Sequence, residues 1–345
     1  MTHTLAPVPS VERLEDWLSE PTPGTIETFR RLGGDVLVLG AGGKMGLSLA
    51  RMAKRASEAA GGGRQVVAVS RFATEQSLKE FERHGIRTLR CNLLDDSSIA
   101  GLPESANVIF LAGMKFGSTG QEALTWAMNS YLPAIICRRY PRSRIVALST
   151  GNVYGLTPVA GGGSRESDPP APVGEYAMSC LGRERIFEHF SRQLGLPVAL
   201  IRLNYACDLR YGVLVDLAQR VWRGETIDLA VGCFNTIWQG DANAMILQAL
   251  SHAACPPRVL NVTGPEVLWV RAVCEEFGEL MNRKPRFAGT ESPTALLSNA
   301  EAAIGLFGAP RIAAGTLVRW VANWVMEERP TLSKPTHFES RDGKF

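Results

Sequence analysis

Apolar positions recur along the chain in two alternating periods. Val11, Leu14, Trp17 and Leu18 fall on one helical face. Ser10 stands before them as a plain N-cap, since the capping-box position is Arg13 rather than Glu or Gln. Pro21 and Pro23 break this helix, and the pattern predicts a second one over 25–32. A strand is then predicted at 35–39, and from 47 onward the run reads as a helix up to the Gly61-Gly62-Gly63 break. Further strands are predicted at 65–70, 86–91, 108–113, 144–148 and 198–203, with helices at 75–84, 121–139 and around residue 176 between them. Strands as uniformly apolar as 108–111 belong in the middle of a parallel sheet. The alternation predicts an α/β fold, a doubly wound parallel Rossmann sheet. After residue 205 the rhythm loosens into helices at 213–222, 240–251, 270–281 and 317–327, with short strands near 228, 260 and 286.

The first strand runs into Gly40-Ala41-Gly42-Gly43-Lys44-Met45-Gly46, with Gly40, Gly43 and Gly46 in GxxGxxG spacing. A glycine triplet alone is weak evidence, but here the strand and the helix stand where a phosphate cradle needs them. Glycines let the backbone turn tightly and approach a pyrophosphate, and the helix N–H groups point at the anion. This assigns 33–205 plus about 232–262 to a dinucleotide-binding domain. A smaller, discontinuous substrate domain follows from 206–231 plus 263–330, behind a helical extension at 1–32 and before a polar tail at 331–345. The crevice between the domains, at the carboxyl edge of the sheet, is the expected substrate site. The second strand ends Val69-Ser70-Arg71 with no carboxylate until Glu75. An acidic residue there would accept from the ribose 2′-OH of NAD, whereas Arg71 favours the 2′-phosphate of NADP. The cofactor is therefore read as NADP, with NAD the alternative.

Composition narrows the class without naming it. The 345 residues suffice for a sizeable core, and the net charge of +3 comes without a basic run, which speaks against nucleic acid. No 18-residue apolar run suggests a membrane span, and the first residues lack the regions of a signal peptide. Seven scattered cysteines without CxxC pairs suggest reduced thiols and a cytoplasmic protein. The five histidines are far apart, so no metal site is predicted.

Taken together in chain order, several motifs resemble the extended short-chain dehydrogenase/reductases, in the NAD-dependent epimerase/dehydratase family. They are the cradle; Leu111-Ala112-Gly113-Met114-Lys115; Asn129; Ser149-Thr150-Gly151-Asn152-Val153-Tyr154-Gly155; Tyr176; Arg202-Leu203-Asn204-Tyr205; Asp241-Ala242; and Asn261-Val262-Thr263-Gly264. The resemblance implies hydride transfer between a nicotinamide and a carbinol carbon of a sugar, nucleotide-sugar or related polyol. Thr150 would hydrogen-bond the substrate oxygen, with Ser149 as the fallback, and Tyr176 would give or accept the hydroxyl proton. Gly40, Gly43, Lys44, Met45, Gly46, Ser70, Arg71, Leu111, Ala112, Gly113, Lys115, Asn129, Tyr176 and Asn204 would face the cofactor. Ser149, Asn152, Tyr205 and Arg210 would face the substrate, Arg210 and Arg223 as candidate holders of a diphosphate. The family's habit of pairing two helices implies a homodimer through 121–139 and 176–191, with Trp126, Tyr131, Ile135, Ile186, Phe187 and Phe190 as its apolar surface.

One position departs from the family pattern. Its YxxxK motif reads Tyr176-Ala177-Met178-Ser179-Cys180 here, so the lysine that favours tyrosinate is missing. Forming tyrosinate unaided at pH 7 costs roughly 4 kcal/mol from a free pKa of about 10. Arg183, seven residues on and on the same helical face, could substitute as the cation. Alternatively Tyr176 works as a neutral acid in the reductive direction, or the site is inactive and the chain is an NAD(P)-binding sensor or scaffold. A nucleophilic Cys180 would need a base or local charge to lower its pKa.

Overall fold

The computed structural model describes residues 7–115 and 117–343. Seven strands form one parallel sheet: β1 (Val36–Leu39), β2 (Val66–Ser70), β3 (Arg87–Arg90), β4 (Asn107–Phe110), β5 (Arg144–Thr150), β6 (Val198–Leu203) and β7 (Arg258–Val262). Their order is 3-2-1-4-5-6-7. The direction of winding reverses between β1 and β4, which pair in register from Val36 opposite Asn107 to Leu39 opposite Phe110. Ligands of open α/β sheets bind at such a reversal. The fold is the predicted Rossmann arrangement.

Alternation along β1 divides the core. Val36 and Val38 pack on one face of the sheet, with Leu49, Met52 and Ala53 of α3 (Gly46–Ala59). Leu37 and Leu39 pack on the other, with Val67, Phe110 and Phe187. Burial on both faces explains why these strands are apolar throughout rather than alternating.

The N-terminal extension forms α1 (Val11–Leu18) and α2 (Pro23–Arg31). The Ser10 hydroxyl accepts from the Arg13 amide at 3.1 Å, the plain cap that the sequence predicts. Pro23 breaks nothing; it takes the first helical position of α2, where its missing N–H costs no bond. The extension does more than pack on the nucleotide-binding body. Leu14 and Leu18 enter the core of the C-terminal lobe. Asp16 meanwhile takes Arg51 of α3 at 2.7 Å, and Glu15 takes Arg210 of the C-terminal lobe at 2.7 Å. One short helix is thus riveted to both lobes.

The 122–139 helix, α4, is interrupted by a π-helical turn, Ala127–Tyr131, before Leu132–Arg139. Pro133 supplies the reason, because it has no N–H to return to the carbonyl of Asn129. The long helix α5 (Gly174–Leu194) packs beside it and carries Tyr176, Cys180 and Arg183. A buried ion pair seats α5 on the sheet. Glu184 receives Arg202 of β6 at 3.0 and 2.7 Å and the Ser149 hydroxyl at 2.5 Å, and Arg202 also donates to the Tyr154 hydroxyl at 2.6 Å. The predicted dimer surface is therefore divided. Phe187 and Phe190 belong to the core under the sheet, whereas Trp126 and Tyr131 stay 38% and 56% exposed.

Within the polar tail, residues 331–343 are docked on the C-terminal lobe. Phe338 is 3% exposed, inside the C-terminal core and 6.0 Å from the Phe234 ring. Among the described residues, no helix is long and apolar enough to cross a membrane.

Replacing Glu184 with Ala leaves the Arg202 guanidinium buried with its charge unmatched. The expected loss is about 3–5 kcal/mol of unfolding free energy, measured by urea denaturation, with a smaller loss for Glu184→Gln.

Candidate functional site

A cavity of about 650 Å³ opens at the carboxyl edge of β1, β4, β5 and β6, between the sheet and the C-terminal lobe. The size is that of a small-molecule or cofactor site. The glycine cradle forms one end. Gly40 turns the chain with φ +84°, and a Cβ there would come within 2.6 Å of the Ala112 amide. A Cβ on Gly46 would lie 1.9 Å from the Ala41 carbonyl oxygen, so this glycine lets α3 approach the strand. Gly43 differs, because its Cβ would meet only the Gly40 carbonyl oxygen at 3.5 Å. Its bareness serves the cavity rather than internal packing. No side chain caps the first turn of α3, which leaves that turn suited to an anion. The cradle thus fits the pyrophosphate of a dinucleotide.

Three lysines reach this cavity: Lys44, Lys115 and Lys334. The Lys44 ammonium sits 3.2 Å from the centre of the Tyr211 ring. Burial, then the charges of Lys115 and Lys334, pull its pKa down to about 7. Lys115 is pulled down to about 8, chiefly by burial, and lies 5.8 Å from the Tyr176 ring centre.

The end of β5 carries the second half of the site. Thr150 and Tyr176 share a side-chain hydrogen bond. Asn152 donates to the Thr150 hydroxyl through its backbone N–H at 3.2 Å and its amide at 2.9 Å. Burial pushes the Tyr176 phenol well above its ordinary value; the charges of Cys180 and Arg183 then act in opposite directions, Arg183 pulling it down. Arg183 is only 5% exposed, not a solvated helix residue. It donates to the Leu148 carbonyl at 2.6 Å, the Asn129 side-chain oxygen at 2.6 Å and the Asn129 carbonyl at 3.3 Å. The last acceptor is the one that Pro133 leaves unused within its helix. Gly113 makes room, since a Cβ there would lie 2.4 Å from the guanidinium. Cys180 is buried against Val153, Tyr154 and Tyr176, and burial raises its thiol pKa despite Arg183. The nucleophile reading of Cys180 has no support in that environment.

Of the residues singled out in the sequence, Gly40, Gly43, Lys44, Met45, Gly46, Leu111, Gly113, Lys115, Thr150, Asn152, Tyr176, Arg183, Asn204 and Tyr205 are brought together in the lining of this one cavity. Others are placed differently. Asn129 is fully buried behind the wall; its amide bonds Met114 N–H (2.9 Å), Met114 carbonyl (3.0 Å), the Ser179 hydroxyl (2.9 Å) and Arg183. It holds the loop to α5 rather than facing a cofactor. Ala112 lies under Gly40, a packing partner of the cradle. Ser149 borders the cavity but gives its hydroxyl to Glu184, which removes it as the fallback for Thr150. Arg210 is corrected too: Asp208 and Glu15, each at 2.7 Å, hold its guanidinium away from the main cavity. Arg223 is exposed, 3.8 Å from Glu225. Ser70 closes the side of the cradle, its hydroxyl 2.5 Å from where a Gly42 Cβ would stand, and Arg71 is exposed beyond it.

Tyr211 and Gln239, which the sequence offers among the polar and aromatic groups of the substrate region, also line the cavity, whereas sequence reasoning missed Gly212, Leu332, Lys334 and Thr336. Phe338 is the signal that could have drawn attention to the last three, an aromatic residue in an otherwise polar stretch.

Residues 36–206 match the family model "NAD dependent epimerase/dehydratase family". A search of curated proteins finds no match. Among solved structures, the dTDP-glucose 4,6-dehydratase DesIV of Streptomyces venezuelae, with NAD and TYD bound, superposes at TM-score 0.71 and 17% identity, over 85% of this chain and 97% of that one. The UDP-glucuronic acid 4-epimerase of Bacillus cereus, in complex with NAD, gives 0.70 and 14%, over 85% and 96%. The UDP-glucose 4-epimerase of Thermotoga maritima, with UDP-glucose, gives 0.69 and 16%, over 85% and 99%.

The glycines make separable predictions. Gly46→Ala should cost about 1–3 kcal/mol of stability by overpacking. Gly43→Ala should leave unfolding within about 0.5 kcal/mol of the parent yet weaken dinucleotide binding, read by NADH fluorescence.

Proposed function

We propose, for a chain whose residues 36–206 belong to the NAD dependent epimerase/dehydratase family, an NAD(P)-dependent oxidoreductase or epimerase acting on a sugar or nucleotide-sugar. The observation that carries this reading is the Thr150–Tyr176 pair facing the same cavity as the glycine cradle. When bound, the nicotinamide dinucleotide would supply or accept the hydride at the substrate carbon. Gly40, Gly43, Gly46 and Lys44 would hold its pyrophosphate. Exposed Arg71 at the end of β2 supports NADP over NAD, although the NAD-bound neighbours named above carry NAD.

Tyr176 is neutral at pH 7, because burial raises its pKa. A neutral phenol is an acid, so it can hand its proton to a carbonyl oxygen as the adjacent carbon gains hydride. Thr150 donates a second hydrogen bond to that oxygen and is itself oriented by Asn152. Arg183 supplies positive charge near the phenol in place of the missing lysine, and stabilises the tyrosinate left behind until solvent returns the proton. The reductive direction is favoured near neutrality, and the oxidative direction needs higher pH. The second reading, an inactive NAD(P) sensor or scaffold, rests on Cys180 standing where the lysine is absent. Exposed Leu124, Trp126, Tyr131 and Met178 on α4 and α5 support a homodimer across these helices.

Tyr176→Phe should lower cofactor-dependent turnover about 10²–10⁴-fold while NADPH still binds; unchanged turnover in a panel of sugars and nucleotide-sugars would refute the mechanism. The rate of carbonyl reduction should stay level through neutral pH and fall only where Tyr176 loses its proton. Arg183→Met should move that alkaline limb upward, because removing a cation raises the phenol pKa. Sedimentation should give a dimer, and Tyr131→Glu a monomer; a monomeric parent chain would rule the dimer out.

A further inference from the structure

The three lysines pose an electrostatic problem. Like charges gathered at one cavity repel, and burial further deprives Lys44 and Lys115 of water, while Lys334 stands exposed at the rim. Two belong to loops at the sheet edge. The third, Lys334, arrives from the C-terminal strap, residues 331–343, which the sheet does not require.

The strap is built to deliver it. Leu332 N–H donates to the Arg210 carbonyl at 3.0 Å. Thr336 donates to the Asp216 carboxylate through its N–H at 2.8 Å and its hydroxyl at 2.6 Å. Phe338 is buried in the lobe, and Arg341 bonds the Thr294 hydroxyl at 2.7 Å and the Thr294 carbonyl at 3.0 Å. Ser333 and His337 adopt left-handed backbone, φ 50° and 55°, one on each side of Lys334-Pro335-Thr336. A non-glycine residue pays for that conformation, so it persists only where the surroundings impose it. Anchors on both sides and two enforced bends hold Lys334 on the rim of the cavity that the cradle and Lys44 also line.

We propose that the C-terminal strap completes an anion site, with Lys334 joining Lys44 and Lys115 to clamp a diphosphate from the lobe side of the crevice. The inference rests on the dinucleotide reading above and deepens it. A diphosphate could come from the dinucleotide or from a nucleoside diphosphate on the substrate. The cradle end of the cavity carries Lys44, and the charge of Lys334 is felt there. Such a clamp holds its ligand from three elements far apart in sequence: the first βα turn, the loop after β4 and the strap at 331–343.

The test uses the full chain with Lys334→Ala and Lys334→Arg. NADH and NADPH are titrated by fluorescence, and UDP separately by calorimetry. Lys334 is exposed, so both variants should keep the thermal unfolding temperature of the parent. Lys334→Ala is expected to weaken binding about ten-fold, the scale of a lost charge-assisted contact, with a shallower dependence on salt, and Lys334→Arg to restore most of it. Weakening confined to the dinucleotides assigns the clamp to the cofactor, and weakening confined to UDP assigns it to the substrate; either supports the clamp. Unchanged affinity for all three ligands overturns it, while leaving the dinucleotide reading intact if the parent chain binds NADH or NADPH. A parent chain that binds none of the three overturns both.

Discussion

The site depends on where one buried guanidinium is held. Arg183 joins three elements at once: its own helix, the carbonyl at Leu148 near the end of β5, and Asn129 in the π-turn of α4. A charged group with this little exposure is tolerable only when its donors are matched. The matching comes from irregularities elsewhere. Pro133 leaves a helical carbonyl without its usual donor, and Gly113 omits the Cβ that would collide with the guanidinium. The helix defect and the loop glycine are therefore parts of one arrangement. It places a fixed positive charge beneath the tyrosine whose customary lysine neighbour is a cysteine.

Around that charge, the cavity divides its work between backbone and side chains. At the cradle, shape dominates: Gly40 and Gly46 are needed for the chain to pack on itself, and Gly43 keeps the surface bare toward a ligand. At the end of β5, hydrogen bonds dominate, with Asn152 orienting Thr150 and Thr150 meeting Tyr176. Behind both, the Glu184–Arg202 pair and the fully engaged Asn129 amide fix the helix that carries Tyr176 and the loop that carries Met114. The residues that do the positioning are as buried as the hydrophobic core.

The sheet was legible because strands buried on both faces announce themselves as apolar runs, and the cradle because its three glycines sit at a strand–helix junction. Thr150, Tyr176 and Lys115 were singled out by their place in an ordered series of motifs, and the structure brings them to one cavity. Arg210 and Ser149 were misread for a common reason. A residue type suited to ligand binding is equally suited to an internal ion pair or hydrogen bond. Asp208 stands two residues before Arg210 and was a local signal that went unread, whereas Glu15 and Glu184 lie far from Arg210 and Ser149 in the chain, where local pattern carries no record of them. The docking of the strap was not legible because its composition is polar; what holds it is one phenylalanine, Asp216 and Arg220 of a distant helix, Thr294 and a few backbone bonds. Arg183 was legible by spacing, but its burial came from Pro133 and Gly113, whose relation to it is purely spatial.

The N-terminal helix α1 has a consequence for how a ligand could come and go. Its two acidic neighbours, Glu15 and Asp16, hold arginines from opposite sides of the crevice. Rotating the lobes apart would have to pull at least one of these ion pairs open and disturb the apolar seat of Leu14 and Leu18. The crevice is thus stiff against the hinge-like opening by which many two-lobed proteins admit their ligands. Exchange would proceed instead by local loosening of a peripheral segment, with the two lobes staying together.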